Sequence, residues 1–316
     1  MSLNESKDID GTDKVFINWL ELPAGDSHNE IPLWQHGEWY SRETLPDNST
    51  LEHTGFPIRF PKRFRTEPKV VLFLSGINTD CTTDLTFFIY ASDTSRNGFK
   101  LVIDIWNNSK LHGLKVSWVA YASESLPGVC SGSVDTHSFR KNSEPQHYNT
   151  SYVSFPTGMF TKPPKVLAGL DYLDFESGKE LNIRTFVSNV SIHGMCWHAN
   201  SSGGTVNRGT GVFWVAYASE SVNGVYSGSA STLSFRSESD PQHHNMGYVA
   251  FPSGKFTKPP KVMIGLDQLH LAGGTEQNIK AFVSNVSTSG MCWNADSWGD
   301  TVNYSAGISF LAIEED

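Results

Sequence analysis

The sequence predicts an all-β protein made of three tandem six-stranded antiparallel β-sandwich domains. Three observations carry this. A segment recurs at constant spacing: Gly98, Gly194 and Gly290 open matched strands 96 residues apart, and Pro68, Pro164 and Pro260 keep the same interval. No stretch shows a convincing helical period, whereas short runs such as Tyr152-Val153-Ser154-Phe155 and Tyr248-Val249-Ala250-Phe251 alternate like half-buried strands. Turn chemistry recurs at short intervals, in Pro127-Gly128, Asn223-Gly224 and the run Asn189 to Gly194. About six short strands per unit then favour an antiparallel sandwich.

The repeat divides the chain into a disordered lead-in, 1–13, and units 14–121, 122–217 and 218–316, the first the most divergent. Residues 15–22 read as a strand that resembles the unit endings Ser117-Trp118-Val119, Phe213-Trp214-Val215 and Ser309-Phe310-Leu311. Within a unit, a Ser-Gly-Ser strand (131–133, 227–229) precedes a polar loop. That loop is Pro145-Gln146-His147-Tyr148-Asn149 in one unit and Pro241-Gln242-His243-His244-Asn245 in the next. Lys-Pro-Pro-Lys-Val (162–166, 258–262) opens a further strand, its prolines where a missing N–H does least harm. Asn182-Ile183-Arg184 and Asn278-Ile279-Lys280 begin the strand before each Gly-Met-Cys-Trp run. Alternation in Gly98 to Trp106 puts Phe99, Leu101, Ile103 and Ile105 inside, and Lys100, Asp104 and Trp106 outside. The same phase turns Trp197 and Trp293 inward and Trp298 outward.

Composition narrows the function. The chain has 316 residues, is 38% hydrophobic and 12% aromatic, and carries a net charge of −9. That supports packed cores and argues against a nucleic-acid or acidic-membrane partner, because no basic surface is available to neutralise phosphates. No apolar run approaches the roughly 20 residues of a membrane span, so membrane insertion is not expected. The N-terminus lacks the apolar core of a signal peptide. Four cysteines without a C-x-x-C are read as free thiols, and sequons such as Asn149, Asn189 and Asn285 as bare. These features favour a cytoplasmic protein, with non-classical release left open. No histidine spacing fits a metal ligand set, and no cofactor is expected. Hydrolase, zinc-protease, dinucleotide and P-loop signatures are absent, so an enzyme is not expected.

The order of these strands, with Asn-Val-Ser/Thr-x-x-Gly turns, an outward Trp at 106 and 298 and a closing Ser-Trp strand, resembles the H-type lectin domain of snail agglutinins and discoidin C-terminal regions. The resemblance spans three units, nearly the whole chain. It implies a six-stranded sandwich assembling as a trimer, with N-acetylgalactosamine or galactose bound between protomers. One protomer would give an arginine and an Asp-bearing loop. Its neighbour would give an exposed Trp, the next residue and a Tyr six positions beyond the Trp.

Carried onto this chain, the Trp position is Trp106, Ser202 and Trp298, followed by Asn107 in the first unit and Gly299 in the third. Six positions on stand His112, Arg208 and Tyr304. The arginine position falls on Thr86, Arg184 and Lys280. The loop contributes Gln146, Tyr148 and Asn149, then Gln242, His244 and Asn245, with Tyr148 and His244 where an Asp is expected; the first-unit counterpart lies near Pro46-Asp47-Asn48. A sugar site needs an aromatic plate for the ring's C–H face and fixed polar groups for its hydroxyls. Trp106 and Trp298 are the candidate plates, and the alternative for each is packing against a neighbouring unit. Trp197 and Trp293 are expected in the core.

The reading is a multivalent, metal-independent lectin for glycans ending in N-acetylgalactosamine or galactose. Either its three copies pack as a pseudo-trimer in one chain or whole chains form a homotrimer. The first rival is a protein-interaction scaffold with decayed sugar sites, and the second a glycan-processing enzyme.

Overall fold

The computed structural model describes residues 32–41, 51, 53–220 and 222–314. The lead-in, the strand expected at 15–22 and the Pro46-Asp47-Asn48 loop lie outside the described residues. Among the described residues there are eighteen strands, β1 (Trp34–Tyr40) to β18 (Asn303–Ile313), with short 3-10 turns at Thr136–Ser138 and Thr232–Ser234. Among the described residues no helix is long and apolar enough to cross a membrane.

Each repeat gives six strands: β1 to β6, β7 to β12 and β13 to β18. In repeat 1 these are β1, β2 (Thr54–Arg59), β3 (Lys69–Thr79), β4 (Leu85–Ser95), β5 (Gly98–Ile105) and β6 (Leu111–Tyr121). Repeat 2 has β7 (Val129–Asp135), β8 (Tyr148–Ser154), β9 (Lys165–Phe175), β10 (Leu181–Ser188), β11 (Gly194–Ser201) and β12 (Asn207–Tyr217). Repeat 3 has β13 (Val225–Ser231), β14 (Met246–Ala250), β15 (Lys261–Leu271), β16 (Ile279–Ser284), β17 (Gly290–Ser297) and β18. Among the described residues the first strand of repeat 1 is Trp34–Tyr40. Its Gly37 matches Gly132 and Gly228, each a place where a Cβ would strike the ring of the paired Trp118, Trp214 or Phe310.

The sheets do not belong to single repeats. Each has six strands, three from one repeat and three from the next: β2-β5-β4-β9-β12-β7, β13-β18-β15-β10-β11-β8, and β1-β6-β3-β16-β17-β14. The seams β4·β9, β10·β15 and β16·β3 join repeat 1 to 2, 2 to 3 and 3 back to 1. The ring therefore closes within one chain, as a cyclic trimer closes between chains. Local alternation shows which residues face a core but not which repeat supplies the neighbouring strand.

Two cores follow from the two faces of these sheets. Inside the sandwiches, Trp197 and Trp293 are buried, as the alternation requires, with Phe99, Leu101 and Ile103; Ile105 is only half-buried. A second cluster gathers residues from all three repeats, including Phe73, Tyr121, Phe213, Tyr217, Met263 and Leu311. At its centre Phe73 meets Phe213 at 4.6 Å. A three-fold set of phenylalanines is not present: Gly169 and Gly265 match Phe73, and a Cβ on Gly169 would lie 2.5 Å from the Phe213 ring. Burying one such phenylalanine is worth about 2–3 kcal/mol, so two large rings and two glycines fill the axis without overpacking. Tyr121 and Tyr217 carry the pattern outward by hydrogen-bonding Ser131 and Ser227 of the following repeat.

Candidate functional site

Each seam carries a row of side chains on the face opposite the sandwich core. At the seam of repeats 3 and 1 the paired residues are Tyr40, Lys115, Gly76, Lys280 and Asp296. His244 extends the row, its Nδ1 3.5 Å from Asp296. At the seam of repeats 2 and 3 the row is Ser231, Gly307, Gln268, Arg184, Asn200 and Tyr148. At the seam of repeats 1 and 2 it is Asp135, Gly211, Tyr172, Phe88 and Asp104, with His53 2.6 Å from Asp104.

Two β-bulges shape every seam. The extra residue of the first is Ser75, Asp171 or Asp267; that of the second is His112, Arg208 or Tyr304. Bulges break the ladder and re-aim side chains, which is how they come to sit beside sites. Burial pushes the carboxyls of Asp171 and Asp267 up to about 8, opposed by the Ser133 hydroxyl at the first and the Arg184 charge at the second. Ser75 is the neutral counterpart.

The seam of repeats 3 and 1 is open. A pocket of about 240 Å³ lies over Gly76, walled by Trp298, Lys280, Lys115, Glu38 and Tyr40. It exists because Gly76 has no side chain: a Cβ there would lie 3.1 Å from the Lys115 Cβ and 3.3 Å from the Lys280 Cβ. Trp298 is half-exposed, and Lys280 also stands 5.4 Å above the Phe282 ring. Lys115 pairs with Glu38 at 3.0 Å. Among the described residues no group of three His, Cys, Asp or Glu side chains is placed to hold a metal ion.

The seam of repeats 1 and 2 is closed. Tyr172 stands where Gly76 stands at the open seam, and is buried. Its ring packs on Trp106 at 5.5 Å, Phe88 at 6.0 Å and His137 at 5.1 Å, and its hydroxyl meets His137 Nε2 at 3.1 Å. Trp106, expected as an exposed plate, thus packs on the next repeat. Arg208 locks the same seam, reaching Asp84 of repeat 1 at 2.5 Å and Asp174 at 3.2 Å. The middle seam is polar. Gln268 accepts from Ser231 and donates to Ser305, while Arg184 is exposed over the Phe186 ring at 5.6 Å, with Ser202 in place of an aromatic.

The pairing corrects several sequence assignments. Phe88, not Thr86, shares the register of Arg184 and Lys280; Thr86 is buried and its hydroxyl donates to the Trp106 carbonyl. Trp298 and Lys280 come from one repeat and share a pocket, rather than coming from neighbours. Trp298 and Tyr304, expected together, separate: Tyr304 packs on His270, which lies 3.8 Å from Glu180 of repeat 2. Asn149 and Asn245 are buried and not placed to meet a ligand. Each accepts from a loop arginine, Arg140 or Arg236, and donates to Ala199 or Ala295. Gln146, Tyr148, Gln242 and His244 are exposed. The Gln146 N–H bonds the Asn207 carbonyl, and Gln242 donates to Asp240. Asn107 occupies a left-handed turn at φ 55°, and His112 stands 3.6 Å from Asp80. The sequence reading missed Glu38, Tyr40, Gly76 and Lys115. The available signal was the break in the repeat, since Gly76 matches Tyr172 and Gln268, and Lys115 matches Gly211 and Gly307.

The all-β ring of three repeats carries, at one seam, an open pocket walled by an aromatic side chain and polar groups, the features that a carbohydrate-binding domain needs. The H-type lectin domain family model matches residues 56–121, 150–217 and 247–313, and the chain belongs to that family of carbohydrate-binding, non-enzymatic domains. No curated protein matches the chain, and no solved structure does.

Proposed function

We propose that this chain is a metal-independent lectin for terminal galactose- or N-acetylgalactosamine-type glycans, with its principal site over Gly76 between repeats 3 and 1. The supporting observation is that, among the described residues, this row leaves space beside its Trp298, whereas Trp106 packs on Tyr172. Trp298 offers a plate for the C–H face of a pyranose, while Lys115, Lys280, Glu38 and Tyr40 offer donors and acceptors for its hydroxyls. The Arg184 seam, without a plate, is a weaker second site, so multivalency arises from unequal sites in one chain acting as its own trimer. At the Trp106 seam the same positions hold repeats 1 and 2 together, Trp106 packing on Tyr172 instead of facing a ligand.

The test is a glycan array with the purified chain, repeated with chelator and with free N-acetylgalactosamine. Binding that survives chelator and is competed by the sugar supports the proposal. Trp298→Ala should weaken it at least about tenfold, whereas Trp106→Ala should lower stability. A silent array from folded protein overturns it.

A further inference from the structure

The charge pattern of the open pocket points to a more specific ligand. Lys115 and Lys280 flank Gly76 from two different repeats, with their Cβ atoms 3.1 and 3.3 Å from where a Gly76 Cβ would be. Neither equivalent row repeats this pair: the residue matching Lys115 is Gly211 or Gly307, and the residue matching Lys280 is Phe88 or Arg184. Glu38 compensates Lys115 at 3.0 Å. Lys280 has no carboxylate within ion-pair distance among the described residues. Its cross-strand neighbour Asp296 is engaged by His244 at 3.5 Å and by the Asn245 N–H at 3.4 Å. A cation that has no ion pair of its own among the described residues therefore lines the pocket, in a chain whose net charge is −9. A neutral sugar does not need that cation, and it costs local repulsion against Lys115.

We propose that the pocket over Gly76 selects a saccharide bearing an anionic group, a carboxylate or a sulfate. Trp298 holds the ring and Lys280 pairs with the anion, on the rim opposite the Lys115–Glu38 pair. The inference rests on the reading that this pocket binds sugar, and adds the charge of the sugar to it. A pair formed at a partly enclosed rim gains more than one in open water and remains sensitive to salt.

The experiment is calorimetric titration of the full chain with galactose, galacturonic acid and galactose 6-sulfate, in about 0.05 M and about 0.5 M salt. At low salt the acidic sugars should bind about tenfold more tightly than galactose, and high salt should reduce that ratio. The better of the two acidic ligands distinguishes carboxylate from sulfate. Lys280→Met, which keeps the stem's bulk, should abolish the preference, so that the acidic sugars bind this variant no more tightly than galactose does. Glu38→Gln should enlarge the preference and serves as a second variant. Galactose binding as tightly as both acidic sugars, with loss of binding in Trp298→Ala, would overturn the charge selection and leave the sugar site standing. No binding of any sugar to folded protein would overturn both.

Discussion

The seams at Gly76 and Tyr172 are the same piece of fold used in opposite ways. Each has a bulge, a cross-strand row and a tryptophan at the end of the neighbouring strand. At one, a glycine paired with a lysine leaves a pocket of about 240 Å³. At the other, a tyrosine paired with a glycine fills the gap and recruits Trp106, Phe88 and His137 around its ring. Large and small residues have been exchanged across one strand pair. A tandem chain permits this because a substitution in one repeat changes one seam, whereas a homotrimer changes all three at once. Three copies can therefore divide binding and assembly between them.

The largest effect should come from emptying the closed seam. Tyr172→Gly removes a buried ring and the hydroxyl that meets His137, and should cost about 3–5 kcal/mol in denaturant unfolding. The opened space would be lined by Phe88 and Gly211 instead of two lysines, so no affinity for acidic sugars should appear. A cost below about 1 kcal/mol would show that Tyr172 does not hold repeats 1 and 2 together.

The reverse change fills the open seam. Gly76→Tyr should abolish sugar binding and cost about 1–3 kcal/mol, because its Cβ meets the Ile279 carbonyl and Lys115 at 3.1 Å. Adding Lys115→Gly copies the closed pair and should recover most of the stability but none of the binding. If the double variant still binds sugar, the site lies elsewhere.

This pair also shows how far the sequence could be read. The 96-residue spacing, the strands and the buried Trp197 and Trp293 were legible because they depend on local alternation and on repetition. The seams were not, since pairings such as Gly76 with Lys280 join residues from the two ends of the chain. Without those pairings the register of Thr86 and Phe88 is ambiguous by two residues, a shift that keeps the same face. Trp106 and Trp298 looked alike as strand-end tryptophans, and what separates them is the residue across the seam.

A smaller effect should appear in pH dependence. The folded Asp171 carboxyl is raised by burial to about 8, above its ordinary value of 3.8, so folding takes up a proton between those limits. Its contribution is fully present below about pH 4 and is lost as pH rises through about 8. Asp267 behaves alike at the middle seam, and Ser75 removes the effect at the open one. Asp171→Asn should flatten the fall in stability between about pH 5 and about pH 8 by about 1–2 kcal/mol, measured by unfolding at each pH. An unchanged slope would mean that the carboxyl finds a partner when it ionises.

The smallest effect should come from turning the middle seam toward the open one. Ser202 is exposed just past the strand that pairs with that of Arg184, its N–H bonded to the Asn182 carbonyl, and it corresponds to Trp298. Ser202→Trp would add a plate next to a cation without touching either core, worth about 0.5–1.5 kcal/mol of sugar contact. Titration should then show a second, weaker site per chain, abolished by Arg184→Ala and indifferent to Lys280→Met. Gln268 still occupies part of the space that Gly76 leaves free, so the gain should grow in Ser202→Trp combined with Gln268→Gly. If that double variant gains nothing, space beside a tryptophan is not the condition for a site, and the contrast between Gly76 and Tyr172 must be traced to the lysines instead.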